Sequence, residues 1–335
     1  MKNFLVKSLI FFLPIELIII AHLTLDPFRI IYDYDDPYEK SIVALNRSEI
    51  CKRVYLKNRE ELGYNAFIFG SSRSQGYKCK SWEKHLPNDA TALHFDGSGE
   101  GIWGIATKVN YIDELGDSLK YALVSVDGDL LINTDNNKKF FTISPPEMSK
   151  ESYTTYYTKY IQAGLDLKFL AGYIDMTIFG KYRPYMKKVI SRVKYFHRGN
   201  PLTADVFYGN GTHIKIDSAG YYNALIEKGV FYDRNTVDQN KKYEVTELEI
   251  EQLKSIKKVF DRHKTDFVII ISPLYDQLPL NIEQVELLNE IFGSENVYDF
   301  SGKTYLTEPI HNYYEDSHFR PHVANIVMDS VYSSR

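Results

Sequence analysis

The sequence predicts an α/β domain, doubly wound around a mostly parallel sheet. Short apolar runs recur along the chain at 65–70 (NAFIFG), 91–97 (TALHFDG), 120–127 (KYALVSVD), 265–273 (TDFVIIISP) and 296–300 (NVYDF). Segments with apolar residues at helical spacing separate several of them. The fourth run is almost unbroken in apolar residues, which suits a strand covered on both faces and so denied water on either side. Strand–helix alternation of this kind is the pattern of a parallel sheet with crossover helices.

Composition sets the outer limits. A length of 335 residues allows one large domain or two ordinary ones. With 40 Lys and Arg against 44 Asp and Glu, the formal charge is −4, which offers no electrostatic footprint for nucleic acid. An apolar share of 44% with 19 Gly and 12 Pro excludes a disordered or fibrous chain. The two cysteines exclude a disulfide scaffold and a four-cysteine zinc site.

Taken in order, residues 1–25 come first, and 17 of these 25 are apolar. Between Lys7 and Asp26 the only charged residue is Glu16. As a helix this stretch would span about 27 Å, near the roughly 30 Å of a bilayer core. The expectation is an uncleaved transmembrane anchor. A cleaved signal peptide and a buried core helix compete with it; the first lacks an A-x-A site, and Pro14 with Glu16 favours the second. Lys2 and Lys7 precede the span, and Asp26, Asp33, Asp35 and Asp36 follow it. That asymmetry puts the N-terminus in the cytoplasm and the bulk in the periplasm or outside the cell. In such a compartment Cys51 and Cys79 either pair as a disulfide or remain two buried thiols.

Residues 26–60, charged and Tyr-rich, are expected to form a stalk, with the α/β domain over 61–335. Within it, Ile102, Ile105, Val109 and Ile112 define one helix face. Thr246 with Glu249 makes a capping box, opening a helix with Ile250, Leu253, Ile256 and Phe260 on one side. A polar helix is expected near 281–292. The stretch from about 140 to 243 breaks the rhythm, being basic and Tyr-rich, with KYRPYMKKVISRVKYFHRGNP at 181–201 and a turn-like YGNGT at 208–212. It reads as an insertion, either a surface for anionic lipid or glycan or a solvated cap.

Two local features carry chemistry. In FIFGSSRSQGY (67–77) an apolar strand runs into Gly70 and then Ser71, Ser72, Arg73 and Ser74. Ligands of open parallel sheets bind beyond the carboxyl ends of strands, where backbone N–H groups at a helix start can hold an oxyanion. A serine there is also an ordinary N-cap. At the other end, in HNYYEDSHFRPHVANIVMDSV (311–331), His318 precedes Pro321 and a helix with Val323, Ile326 and Val327 on one face. Glu315 and Asp316 lie three and two residues upstream of it. A carboxylate so placed can hold the imidazole tautomer that accepts a serine proton.

A serine turn after an early strand and an acid–His element before the last helix resemble the SGNH (GDSL-type) hydrolase superfamily. The resemblance runs from about 65 to 331. It implies a flavodoxin-like three-layer α/β/α domain with five strands and no cofactor. Gly70-Ser71-Ser72 aligns with the family's Gly-Asp-Ser turn, making Ser72 the nucleophile and Ser71 a departure from Asp. Asp-x-x-His spacing gives Glu315 the acid role and His318 the base, while Asp316 has the usual side chain at the wrong spacing. The family's second oxyanion donor falls on Gly99, with Gly97 the lesser candidate; its usual Asn is missing from SVDGDLLIN. Arg73 either contacts an anionic substrate or caps the turn.

A Gly-Ser-Ser turn and an N-terminal anchor are similar to the membrane-bound branch that includes the D-alanyl transfer protein DltD and the alginate O-acetylation proteins. The implied partners are a membrane, an acylated glycan or acyl carrier, and a membrane-bound O-acyltransferase. The implied activity is that of a serine esterase or O-acyltransferase of cell-envelope glycans. A catalytically silent scaffold is the alternative.

Other signals are weaker. Gly99-x-Gly101-x-x-Gly104 fits a dinucleotide fingerprint in isolation. His318 and His322 have metal-ligand spacing, but Pro321 intervenes. Asn133, Asp135 and Asn137 imitate a calcium loop, with Lys138 where Gly is required. The sequons at Asn46 and Asn210 matter only in a glycosylating host.

Overall fold

In the computed structural model, which describes residues 2–187, 189–191, 196–236 and 244–335, each expected apolar run forms a strand. These are β1 (Ala66–Gly70), β2 (Ala92–His94), β3 (Tyr121–Val126), β4 (Asp266–Ile271) and β5 (Val297–Asp299). They pair in the order β2-β1-β3-β4-β5, and every pair is parallel. The chain steps outward from β1 to β2, then returns past β1 to β3. Such a reversal leaves a crevice at the carboxyl ends of the two strands it separates.

The longer helices are α1 (Lys2–Leu25), α2 (Arg47–Leu62), α3 (Ile102–Glu114), α4 (Tyr153–Gly164), α5 (Leu167–Phe179), α6 (Gly209–Ile216), α7 (Ser218–Glu227), α8 (Glu247–His263), α9 (Ile282–Phe292) and α10 (Pro321–Ser333). Alternation along the strands splits the core into two layers. Phe67, Phe69, Val124, Phe267 and Ile269 face α2, α3, α8 and α9. Ile68, Leu123, Val268 and Ile270 face α6, α7 and α10. Each such fully buried side chain contributes about 1.5–3 kcal/mol from its removal from water. Ile102, Ile105, Val109 and Ile112 are all buried on α3. Thr246 caps α8 by accepting the Glu249 N–H at 3.1 Å. On α10 the buried face is Val323, Ala324, Val327, Met328 and Val331; Ile326 stands exposed beside it.

Residues 26–60 do not extend away as a stalk. Phe28, Ile30, Val43 and Leu45 interlock with Ile143, Tyr156, Tyr160, Phe169, Met186 and Ile190 of the insertion in a third apolar cluster. Burial of α2 is the reason: Cys51 and Tyr55 belong to the core, and Arg47 is wholly enclosed. Cys51 and Cys79 are both free thiols, each within its own layer of the core. Asn46 is buried as the N-cap of α2, its amide donating to the Phe140 and Ile143 carbonyls and to Tyr160, so that sequon is closed to modification.

The insertion is mostly helical, and YGNGT enters α6 with Tyr208 at the N-cap rather than forming a turn. Residues 188 and 192–195 of its basic stretch, and 237–243 at its end, lie outside the described residues. Among the described residues no helix is long and apolar enough to cross a membrane, so the expected span over 1–25 is unsupported. Along α1, Phe4, Phe11, Phe12, Leu17 and Ile20 are nonetheless exposed.

Candidate active site

The turn after β1 is built for close approach. Gly70 has φ 153°, and a Cβ there would sit 2.9 Å from the Ser125 carbonyl oxygen and 2.8 Å from Ser74 Cβ. Ser71 caps the single 3₁₀ turn Ser72–Gly76, its hydroxyl accepting the Arg73 N–H at 3.3 Å. Arg73 does not extend to solvent: its guanidinium pairs with Asp127, and with Asp129 at 3.1 Å, both just past the end of β3. It therefore ties the turn to the neighbouring strand. The Asp127 carboxylate so engaged lies in the region where the resembled family carries its Asn.

At the other end of the chain, Tyr313–Glu315 and His318–Phe319 form a small antiparallel hairpin in which Glu315 and His318 are direct partners. Cross-strand partners lie on one face, so acid and imidazole meet without a long loop. The Ser317 N–H donates to Glu315 Oε2 at 2.9 Å and fixes the carboxylate further. Gly76 lets the hairpin dock, since a Cβ there would stand 2.4 Å from the Phe319 ring. Phe319 in turn packs edge-on against Tyr77, with ring centroids 5.6 Å apart.

The result is a linear contact of three groups. His318 Nε2 lies 2.9 Å from Ser72 Oγ, and Nδ1 faces Glu315 Oε1. With Nδ1–H donated to the carboxylate, the Nε2 lone pair accepts the serine proton. Although burial opposes ionisation, the hydrogen bond and charge of His318 hold the Glu315 carboxyl below the usual range. Asp316 is pushed up by burial and by Glu315 beside it, and it accepts from the Ser317 hydroxyl at 3.3 Å. Of the two acids left open by the spacing, the structure brings Glu315 to the histidine.

The two oxyanion candidates differ in their surroundings. The Gly97 N–H is committed to the Gly70 carbonyl at 3.1 Å. Gly99 has φ 56°, a Cβ there would meet only Thr142 Cγ2 at 4.0 Å, and its neighbour Ser98 lines the cavity.

That cavity has a volume of about 350 Å³ and holds Ser72 and His318 together with Tyr38, Gln75, Ser98, Phe141, His197 and Tyr208. The last two and Tyr38 escape the sequence reading. Tyr208 lies beside His318 with ring centroids 5.5 Å apart, and its hydroxyl donates to Gln75 Oε1 at 2.5 Å. Gln75 Nε2 donates to Asp96 at 2.6 Å, and Asp96 pairs with Arg47 at 2.7 Å, both ends fully buried. Arg47 counters the burial of Asp96 and holds its carboxyl well below the usual range. A rigid relay thus runs from α2 to the aromatic ring flanking His318. No signal of spacing could have found it, because its members lie in four separate segments.

A second serine–histidine–acid contact lies beneath the turn. Ser74 Oγ is 3.1 Å from His94 Nε2, and His94 Nδ1 is 3.3 Å from Asp205, with Ser74 and His94 wholly buried and Asp205 nearly so. The Ser74 proton is directed at the Ser71 carbonyl, 2.8 Å away. The Ser74 proton thus has a backbone acceptor that competes with His94 Nε2.

Among the described residues no cluster of His, Cys, Asp and Glu is disposed to hold a metal ion. His322 Nε2 meets Asn312 at 2.9 Å, away from the groups that engage His318. No family model matches the chain. Comparison with curated proteins likewise finds no significant match.

Proposed function

We propose that the protein is a serine esterase or O-acyltransferase of SGNH type, acting on acyl esters of a cell-envelope glycan. The observation that carries this reading is the 2.9 Å contact between Ser72 Oγ and His318 Nε2 at the edge of a cavity, with Glu315 on Nδ1. The parallel order β2-β1-β3-β4-β5, with helices on both faces, supports the flavodoxin-like arrangement of that superfamily.

In this mechanism Ser72 Oγ attacks the acyl carbon while its proton passes to His318 Nε2. Glu315 stabilises the imidazolium and keeps the ring oriented. Backbone N–H groups of Ser72 and Gly99 receive the oxyanion. Collapse of the tetrahedral intermediate breaks the bond to the alcohol oxygen, which takes the proton back from His318. Water, or the hydroxyl of a second sugar, then attacks the acyl–Ser72 ester by the same relay in reverse. In the proposed setting α1 attaches the chain to a membrane through its exposed apolar side chains, the bulk lying outside the cytoplasm and working beside a membrane-bound O-acyltransferase.

A silent scaffold is the second reading, favoured by Asp127 being tied to Arg73 where the resembled family places an Asn donor. Hydrolysis of p-nitrophenyl acetate separates the two. The enzyme reading expects turnover that disappears in both Ser72→Ala and His318→Ala. A folded protein with no turnover, or with turnover equal in all three, supports the scaffold.

A further inference from the structure

The cavity carries a second imidazole that the triad does not use. His197, from the insertion, lines it together with Ser72 and His318. Its Nδ1 accepts the backbone N–H of Gly209 at 3.0 Å, at the first turn of α6. A neutral imidazole that accepts at Nδ1 carries its proton on Nε2. Burial and the nearby His318 both lower the His197 pKa, which keeps the ring neutral and the tautomer defined. Among the described residues no hydrogen-bond partner meets Nε2, so the ring's remaining polar group is an Nε2–H donor.

Its position along the wall gives that donor a role. His318 must return a proton to the departing alcohol oxygen, so the alcohol half of an ester lies over His318. From His318 the wall continues through Tyr208, at 5.5 Å between centroids, to His197, a further 4.9 Å from Tyr208 and steeply inclined to it. An aromatic face followed by a fixed N–H donor suits a ring that bears hydroxyls. We infer that His197 positions the alcohol half of the substrate, donating from Nε2–H to a hydroxyl of a sugar ring packed on Tyr208. The inference rests on the ester-cleaving reading above and adds the residue that selects a sugar alcohol over a plain one.

The test uses the full chain carrying Ser72→Ala, which consumes nothing, with methyl 6-O-acetyl-glucopyranoside as the probe. Long-range ¹H–¹⁵N spectra of the histidine rings report the His197 tautomer and its response to titration. Asn at 197 keeps an acceptor where Nδ1 was, preserving the Gly209 contact, whereas Gln places an amide donor where Nε2 was. The expected result is the Nε2–H tautomer, with its resonance moving as probe is added. His197→Asn should melt as the parent does yet bind the probe about tenfold more weakly, and His197→Gln should restore affinity to within about threefold, the scale of one hydrogen bond. An Nδ1–H tautomer, a His197 resonance indifferent to the probe, or His197→Asn binding as tightly as the parent overturns the inference. Failure of the ester-cleaving reading looks different: the probe binds and His197 responds, but the Ser72 protein never hydrolyses it.

Discussion

Two serines two positions apart on one turn each meet a histidine backed by a carboxylate, and their surroundings make them opposites. Ser72, His318 and Glu315 border a cavity, and Ser72 has its proton aimed at the imidazole. Ser74, His94 and Asp205 are sealed in the core, and the Ser71 carbonyl competes with His94 for the Ser74 proton. The second group satisfies buried polar atoms, with Asp205 also accepting from the Cys79 N–H and the Thr203 hydroxyl. Residue types and distances do not distinguish the two. Access and the competing backbone acceptor do.

The sharpest way to break the comparison is to remove each serine in turn. Ser72→Ala should lower turnover of p-nitrophenyl acetate by about 10⁴-fold or more, as expected for members of a triad acting as a unit. Ser74→Ala should leave turnover of the folded protein within about threefold but lower stability by about 1–3 kcal/mol, because His94 and the Ser71 carbonyl lose a buried partner. Urea unfolding and steady-state rates on both variants check this. The acids come next. Glu315→Gln should cost about 10³-fold in kcat through loss of the oriented tautomer, while Asp316→Asn should stay within about threefold.

Docking of the hairpin is a smaller lever on the same site. Gly76→Ala inserts a methyl into the space held by the Phe319 ring. It should displace His318 and lower kcat by about 10²-fold, an effect on the scale of a 1 Å misplacement. Near-normal turnover in Gly76→Ala would mean the hairpin does not set the site.

The smallest effect concerns pH and falls on the buried group. Burial works against the Asp205 charge, yet His94 and Lys78 hold its carboxyl below the ordinary value. A carboxyl lowered on folding contributes stability above its unfolded pKa and loses it as pH falls through the folded value. Wild-type protein should therefore lose stability more steeply below about pH 4 than Asp205→Asn. Parallel acid-unfolding curves would contradict this assignment.

The sheet was legible because burial on both faces leaves a pattern: each of the five apolar runs became a strand, and TDFVIIISP became β4, paired on both sides. The contact of Ser72, His318 and Glu315 was legible because its pieces are local, a serine at a strand end and an acid three residues before a histidine. What escaped is what no period or short spacing encodes. The charge and tyrosines of residues 26–60 suggest a stalk, although Arg47 is neutralised by Asp96 from a different segment and Tyr38 lines the cavity. His197 and Tyr208 acquire meaning only once the insertion folds against the turn after β1. The turn-like YGNGT starts a helix, with Tyr208 at its N-cap held between Gln75 and His318.

Labelling with a fluorophosphonate probe, followed by mass-spectrometric mapping of the 67–77 peptide, tests the central claim most directly. The expected adduct is on Ser72 alone, absent in Ser72→Ala and His318→Ala, and retained in folded Ser74→Ala. An adduct that persists in Ser72→Ala, or a folded wild-type protein that takes no label, would contradict it.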